Sequence, residues 1–167
     1  VTLRDRTGKA ARLADYRGKP LVISVIYTSC YHICPTTTRH LAKVVQTARA
    51  ALGEDSFRVV TIGFDTAKDN PEAMRSFARQ QGVELPGWEF LSADAASMAR
   101  LAKNIGFLYF ASPKGFDHLM QTSVVDANEK SWDGQVTFAM APTLSRASNL
   151  DHMPALDLLV IDEAHHA

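Results

Sequence analysis

The chain has 167 residues, 46% of them hydrophobic and 22% charged, which is the composition of a globular domain and excludes a disordered chain. Eighteen basic residues balance eighteen acidic ones, so no basic excess exists to drive a phosphate-bound nucleic-acid complex, and no nucleic-acid partner is expected. Two cysteines are too few for a disulfide scaffold, and no apolar run approaches the roughly 20 residues of a membrane span. The chain starts at Val1 without a signal peptide, so a processed form or excised piece is expected, with any membrane anchor upstream.

In chain order, Val1–Leu3, the turn at Thr7-Gly8 and Ala11–Leu13 predict a β-hairpin. Leu21–Tyr27 is β-branched and uncharged, the mark of a strand buried on both faces of a parallel sheet. A loop follows, and Pro35 suits the first position of a helix. Leu41, Val44, Val45, Ala48 and Leu52 recur at helical spacing before Gly53. Arg58–Phe64 predicts a second buried strand, and Met74, Phe77 and Ala78 mark a helix that starts after Asp69-Asn70-Pro71 and closes at Gly82. Trp88–Leu91 is a short strand, and Asp94 caps a helix carrying Met98, Leu101, Ala102 and Ile105. Phe107–Phe110 and Gln121–Asp126 are strand-like, separated by a loop at Pro113-Lys114-Gly115 that suits a flap reaching to Asp117. Strands alternating with helices predict an α/β layer fold with a parallel element.

Both cysteines fall in the loop Thr28-Ser29-Cys30-Tyr31-His32-Ile33-Cys34-Pro35, where a strand end runs into a helix start. Unpaired N–H groups and the helix dipole there favour a thiolate, most clearly at Cys34. Two thiols with three residues between them suit either a disulfide or a shared soft metal, and spacing alone does not choose between them. Among six histidines, His32 lies between the cysteines, His40 on the surface of the following helix and His118 in a glycine-containing loop; His152 has no evident partner. Asp69 is read as a helix cap, while Asp65 suits either capping or a hydrogen bond to the cysteine loop. Tyr27, Phe107, Tyr109 and Phe110 are expected to pack in the core.

The stretch from Gly18 through Cys30 and Cys34 to Pro35, with its Cys-x-x-x-Cys-Pro pattern, resembles the Sco/SenC family of copper proteins. Gly115-Phe116-Asp117-His118 with Thr122–Asp126 is similar to that family's histidine segment, and Asp65 with Asp69-Asn70-Pro71 to its acidic segment. The resemblance runs over about residues 1–130. It implies a thioredoxin-like α/β fold with an N-terminal β-hairpin. It also implies a copper site, Cu(I) or Cu(II), made by Cys30, Cys34 and His118. Thiolates suit Cu(I) and imidazole suits both oxidation states.

The implied role is that of a metallochaperone rather than a turnover enzyme, delivering copper for cytochrome c oxidase assembly. Its partners would be an oxidase subunit or another copper chaperone, on the periplasmic side of the inner membrane or its equivalent. The same cysteines also fit a thiol–disulfide reductase or a peroxiredoxin-like peroxidase, with Cys34 attacking and Cys30 resolving. Cys34-Pro35-Thr36 is similar to the peroxiredoxin order, but Tyr31 stands where those proteins place Thr.

Past Lys130 the Sco resemblance stops, and residues 131–167 read as an atypical tail rather than a second domain. Val136–Met140 suits a strand. The end, Leu156–Ile161 followed by Asp162-Glu163-Ala164-His165, is similar to motif II of DEAH-type helicases. Helicase chemistry needs a P-loop, and neither Gly8-Lys9 nor Gly18-Lys19 supplies one. A hybrid reading frame, a Sco-like domain with a helicase fragment replacing its last elements, is the expectation. Lower stability or self-association would then follow from an incompletely covered sheet.

Overall fold

The chain divides into two compact units, Val1–Leu101 with Asp157–Ala167, and Ala102–Leu156. The computed structural model describes residues 1–31, 33–120, 123–125, 137–139 and 158–161.

In the first unit, β1 (Thr2–Arg4) and β2 (Ala10–Arg12) form the expected antiparallel hairpin, with Thr2 opposite Arg12. Its turn closes through Gly8, whose φ of +86° is a left-handed conformation open to a residue without Cβ. A 3-10 helix (Leu13–Tyr16) follows, a turn not marked in the sequence reading; Asp15 holds it by accepting from the backbone and side chain of Arg12.

β3 (Leu21–Ile26) is buried along its whole length, as a strand with neighbours on both sides and layers on both faces must be. It leads through the cysteine loop into α1 (Ile33–Leu52) and on to β4 (Arg58–Gly63), which is parallel to β3 with Val22 opposite Val59. α2 (Pro71–Gln80) connects to β5 (Trp88–Ala93), again parallel, with Val59 opposite Trp88. β5 runs two residues past the expected Leu91 because β1 pairs with that extension, Leu3 opposite Ala93 and Arg4 opposite Ser92. A strand end with a hydrogen-bonding neighbour stays a strand.

β10 (Leu158–Ile161) pairs parallel to the other edge of β3, Leu158 opposite Leu21, giving a six-stranded sheet of order β10-β3-β4-β5-β1-β2. The apolar run of the tail is therefore a sheet strand. Apart from Thr137–Ala139, the remaining tail residues and the expected boundary at Lys130 lie outside the described residues.

One sheet face carries Val22, Ile26, Val59, Trp88 and Phe90, and packs with Cys34, Leu41 and Val45 of α1 and Met74, Phe77 and Ala78 of α2. The period-2 alternation of the strands meets the 3.6-residue period of the helices there. Trp88 places its indole N–H on Thr61 Oγ1 at 2.9 Å, so these two buried polar groups satisfy each other. The stripe of α1 differs from expectation. Val44 and Leu52 are exposed, while Arg49 takes the buried position four residues beyond Val45. Its guanidinium lies 5.3 Å from the centre of the Phe57 ring and donates to the Pro86 carbonyl.

α3 (Ala95–Ile105) begins at the expected cap, the Ser97 N–H donating to Asp94 Oδ1 at 2.7 Å. It runs from the first unit into the second. There β6 (Phe107–Ser112) and β7 (Gly115–Met120) form an antiparallel hairpin around Pro113-Lys114. Gly115, at φ +127°, makes that tight turn possible. β8 (Ser123–Val125) and β9 (Thr137–Ala139) pair in parallel, inside the two segments where strands were expected. Among the described residues, no helix is long and apolar enough to cross a membrane.

Candidate metal centre

The cysteine loop leaves the buried end of β3. Phe64 N–H donates to Ile26 O at 2.9 Å, closing the β3–β4 ladder, and the Tyr27 and Phe64 rings pack with centroids 5.3 Å apart. The chain then turns, the Cys30 N–H bonding back to Tyr27 O at 3.1 Å. Helix α1 starts at Ile33, two residues before the expected Pro35. A proline is tolerated there because the first four N–H groups of a helix have no intrahelical acceptor.

The earlier start puts Cys34 in the first turn, with its N–H directed at Cys30 Sγ, 3.4 Å away. Both cysteines are thiols; Cys34 is 3% exposed within the core, whereas Cys30 is partly exposed. Tyr31 between them is 90% exposed, contributing no packing to the loop. The donor pair is thus one open and one buried sulfur at a helix N-terminus, where oriented N–H groups favour negative sulfur. Two soft thiolate donors fit a soft metal ion in chemistry. Among the described residues of the first unit, no group of three or more His, Cys, Asp or Glu is gathered to hold a metal.

His118 belongs to the second unit. It sits within β7, opposite Tyr109 of β6, so it occupies a hairpin strand rather than a loop. A two-residue turn at Pro113-Lys114 leaves the following residues paired, which is why the expected flap is a hairpin. Its ring packs 5.7 Å from Phe107, which itself stacks on Tyr109 at 5.4 Å; Phe107 is buried as expected, while Phe110 is exposed. His40 lies exposed on α1, as expected. His32 and His152 lie outside the described residues.

The acidic segment corrects the expected capping. Asn70, not Asp69, caps α2, accepting from the Ala73 N–H at 2.9 Å with Pro71 at the first helical turn. Asp69 turns instead to the cysteine loop. Its Oδ1 accepts from the Thr28 N–H at 2.9 Å and the Thr28 hydroxyl at 2.6 Å, and its Oδ2 accepts from the Asp65 N–H at 2.9 Å. Asp69 is buried, and that burial holds its carboxyl above the usual carboxylate range against the pull of these donors. Asp65 is also buried, with Lys68 Nζ 3.8 Å from its Oδ2.

Sequence reasoning missed Thr28 and Gly63 as parts of this assembly. A Cβ on Gly63 would lie 2.5 Å from Asp69 Cβ and 2.8 Å from Met74 Sδ, so only glycine lets Asp69 come this close. One sequence signal was available: Asn70-Pro71 already makes a complete helix start, which leaves Asp69 without a capping role.

The SCO1/SenC family model matches residues 2–143. The human protein "SCO2 homolog, mitochondrial" is 30% identical over 124 residues, covering 74% of this chain and 44% of that one. A solved Aquifex aeolicus VF5 structure is 32% identical with a TM-score of 0.64, covering 72% of this chain and 70% of that one. Bradyrhizobium japonicum ScoI, solved with copper bound, is 27% identical with a TM-score of 0.61, covering 71% and 76%. The chain spans just under half the length of the curated relatives it matches. The architecture is thioredoxin-like, with the cysteine loop at the end of β3. A family match across most of the chain, and a fold shared with solved Sco proteins, agree with the paired thiols at this loop: the chain belongs to the SCO1/SenC family.

Proposed function

We propose that this chain binds copper as cargo through Cys30, Cys34 and His118, and hands it on during cytochrome c oxidase assembly. The observation that carries this reading is the placement of Cys30 and Cys34 at the start of α1, with the Cys34 N–H on the Cys30 sulfur. The copper-bound Bradyrhizobium relative supports the choice of metal. Two thiolates and one imidazole would form a three-donor site with a position open to an incoming ligand, which suits release to a partner. That partner is an oxidase subunit or another copper chaperone, reached on the periplasmic side of the inner membrane or in the equivalent mitochondrial space. In the same reading, residues 1–130 form the working domain and 131–167 an atypical tail, which lends the strand Leu158–Ile161 to the sheet of that domain.

The test is Cu(I) loading of the reduced chain, with bound copper measured by elemental analysis, for the native chain and His118→Ala. One equivalent retained by the native chain and a loss or strong weakening in the variant is expected. Equal, weak binding by both would overturn the assignment.

Thiol–disulfide exchange is the second reading. Cys30 favours it as a partly exposed sulfur beside a buried one, the arrangement in which one sulfur meets a partner and the other resolves the mixed disulfide. Exposure makes Cys30 the attacking sulfur, the reverse of the order expected for a peroxiredoxin-like site. Rapid reduction of a model disulfide by a chain that retains no copper would favour it.

A further inference from the structure

We infer that Asp69 is a positioning residue for the cysteine pair, acting through Thr28 to hold the loop that presents Cys30 and Cys34. The cysteine loop and the β4–α2 loop leave adjacent parallel strands at the same end of the sheet. Asp69 bridges them. One oxygen takes both donors of Thr28, and the other takes the Asp65 N–H of its own loop. Thr28 lies two residues before Cys30, and the Cys30 N–H is itself tied back to Tyr27 O. The start of the loop is therefore held by the carboxylate and its end by α1, with Cys30 between the two anchors and Cys34 in the first turn of the helix.

The short contact from the Thr28 hydroxyl to the carboxylate is of the charge-assisted kind, stronger than a neutral hydrogen bond. The burial of Asp69 means that water does not replace a lost partner without cost. Gly63 provides the space for this contact, since any side chain there would strike Asp69. Asp69 is also spared from α2, because Asn70 caps that helix. The carboxylate is thus built into the fold at a site where its principal external partner is the ligand loop.

A loop held in place keeps one sulfur at high effective concentration near the other, which favours closure of the pair. The inference rests on Cys30 and Cys34 being the working pair, not on copper, and its test reads the metal-free chain. The dithiol is equilibrated with oxidised dithiothreitol, which takes up two electrons and two protons as the Cys30–Cys34 disulfide forms. Asp69→Asn is expected to lower the oxidation equilibrium constant about tenfold, which corresponds to a rise of about 30 mV in potential. Thr28→Val is expected to move it in the same direction, and Thr28→Ser, which keeps both donors, to restore the native value. The Thr28→Val/Asp69→Asn double variant is expected to match Asp69→Asn alone, because the two changes remove one shared contact.

Arg49→Ala serves as the control for stability alone, expected to lower the unfolding midpoint without moving the potential. Native-like potentials in folded Asp69→Asn and Thr28→Val overturn the inference, as does a Thr28→Ser shift as large as that of Thr28→Val. If Asp69→Asn does not fold, the Thr28 pair decides. A chain that passes this test and binds no copper overturns the copper reading and leaves this one standing.

Discussion

The Cys34 backbone N–H donates to the Cys30 sulfur at 3.4 Å, so the two cysteines of the loop are not equivalent. One sulfur serves as acceptor for the first turn of α1 and is partly exposed; the other is enclosed by the core. Alkylation requires access to the sulfur. Limited iodoacetamide labelling of the reduced chain, mapped by peptide mass spectrometry, is therefore expected to modify Cys30 at least about tenfold faster than Cys34. Equal rates would mean that the buried position of Cys34 does not persist in solution.

Gly63 sits beneath Asp69 with no space for a methyl group. Overpacking at a tight site costs about 1–3 kcal/mol. Gly63→Ala is expected to lower the urea midpoint of the reduced chain by that amount. It should also disturb the cysteine loop, since the added carbon pushes on the carboxylate that holds Thr28. An unchanged midpoint would show that the β4–α2 loop yields freely.

Arg49 is a buried cation whose Nε and Nη2 have no hydrogen-bond partner, although Nη1 reaches the Pro86 carbonyl. Desolvating a charge costs more than one such contact returns, and an apolar side chain of similar length often serves as well or better. Arg49→Met is expected to leave stability unchanged or raise it. Arg49→Ala is expected to lower it by about 2 kcal/mol, because the packing over Phe57 is lost. Equilibrium unfolding of both variants checks the pair of signs.

Asp55 receives hydrogen bonds from Lys19 and from Arg58, and these hold its carboxyl down at about 2, below the ordinary aspartate value of 3.8. A depressed folded-state value means that the unfolded chain takes up the proton first as pH falls. The stabilising contribution is therefore present above 3.8 and is lost as pH falls through about 2. Asp55→Asn should be less stable than the native chain at pH 6, with the difference shrinking across that window and at high salt. Thermal unfolding at several pH values measures it; a difference independent of pH would remove the electrostatic cause.

The α/β order was legible because the signals are local. Leu21–Ile26 is uncharged and Arg58–Gly63 is uncharged after its first residue, both strand patterns, and Asn70-Pro71 and Asp94 mark helix starts. The cysteine pair was legible because its spacing and its place at a strand-to-helix loop are properties of contiguous residues. The extension of β5 was not, since it depends on β1 arriving as a neighbour ninety positions away in register. The strand containing His118 was missed because Pro113 and Gly115 mark a turn but do not say how soon pairing resumes. The stripe of α1 misled because Arg49 reaches a buried carbonyl with its tip while its stem packs in the core.

By itself the sequence determined the class of fold, the family and the pair of thiols, since hydrophobic periodicity and a five-residue motif are written along the chain. Only the tertiary structure decided what Asp69 does. Its partner, Thr28, is 41 residues away in sequence and meets it because β3 and β4 run parallel and end together. Tertiary structure also decided that the apolar run at Leu158–Ile161 completes the sheet beside β3. An uncharged strand pattern states that a segment needs hydrogen-bonding neighbours, and the three-dimensional arrangement alone states which they are.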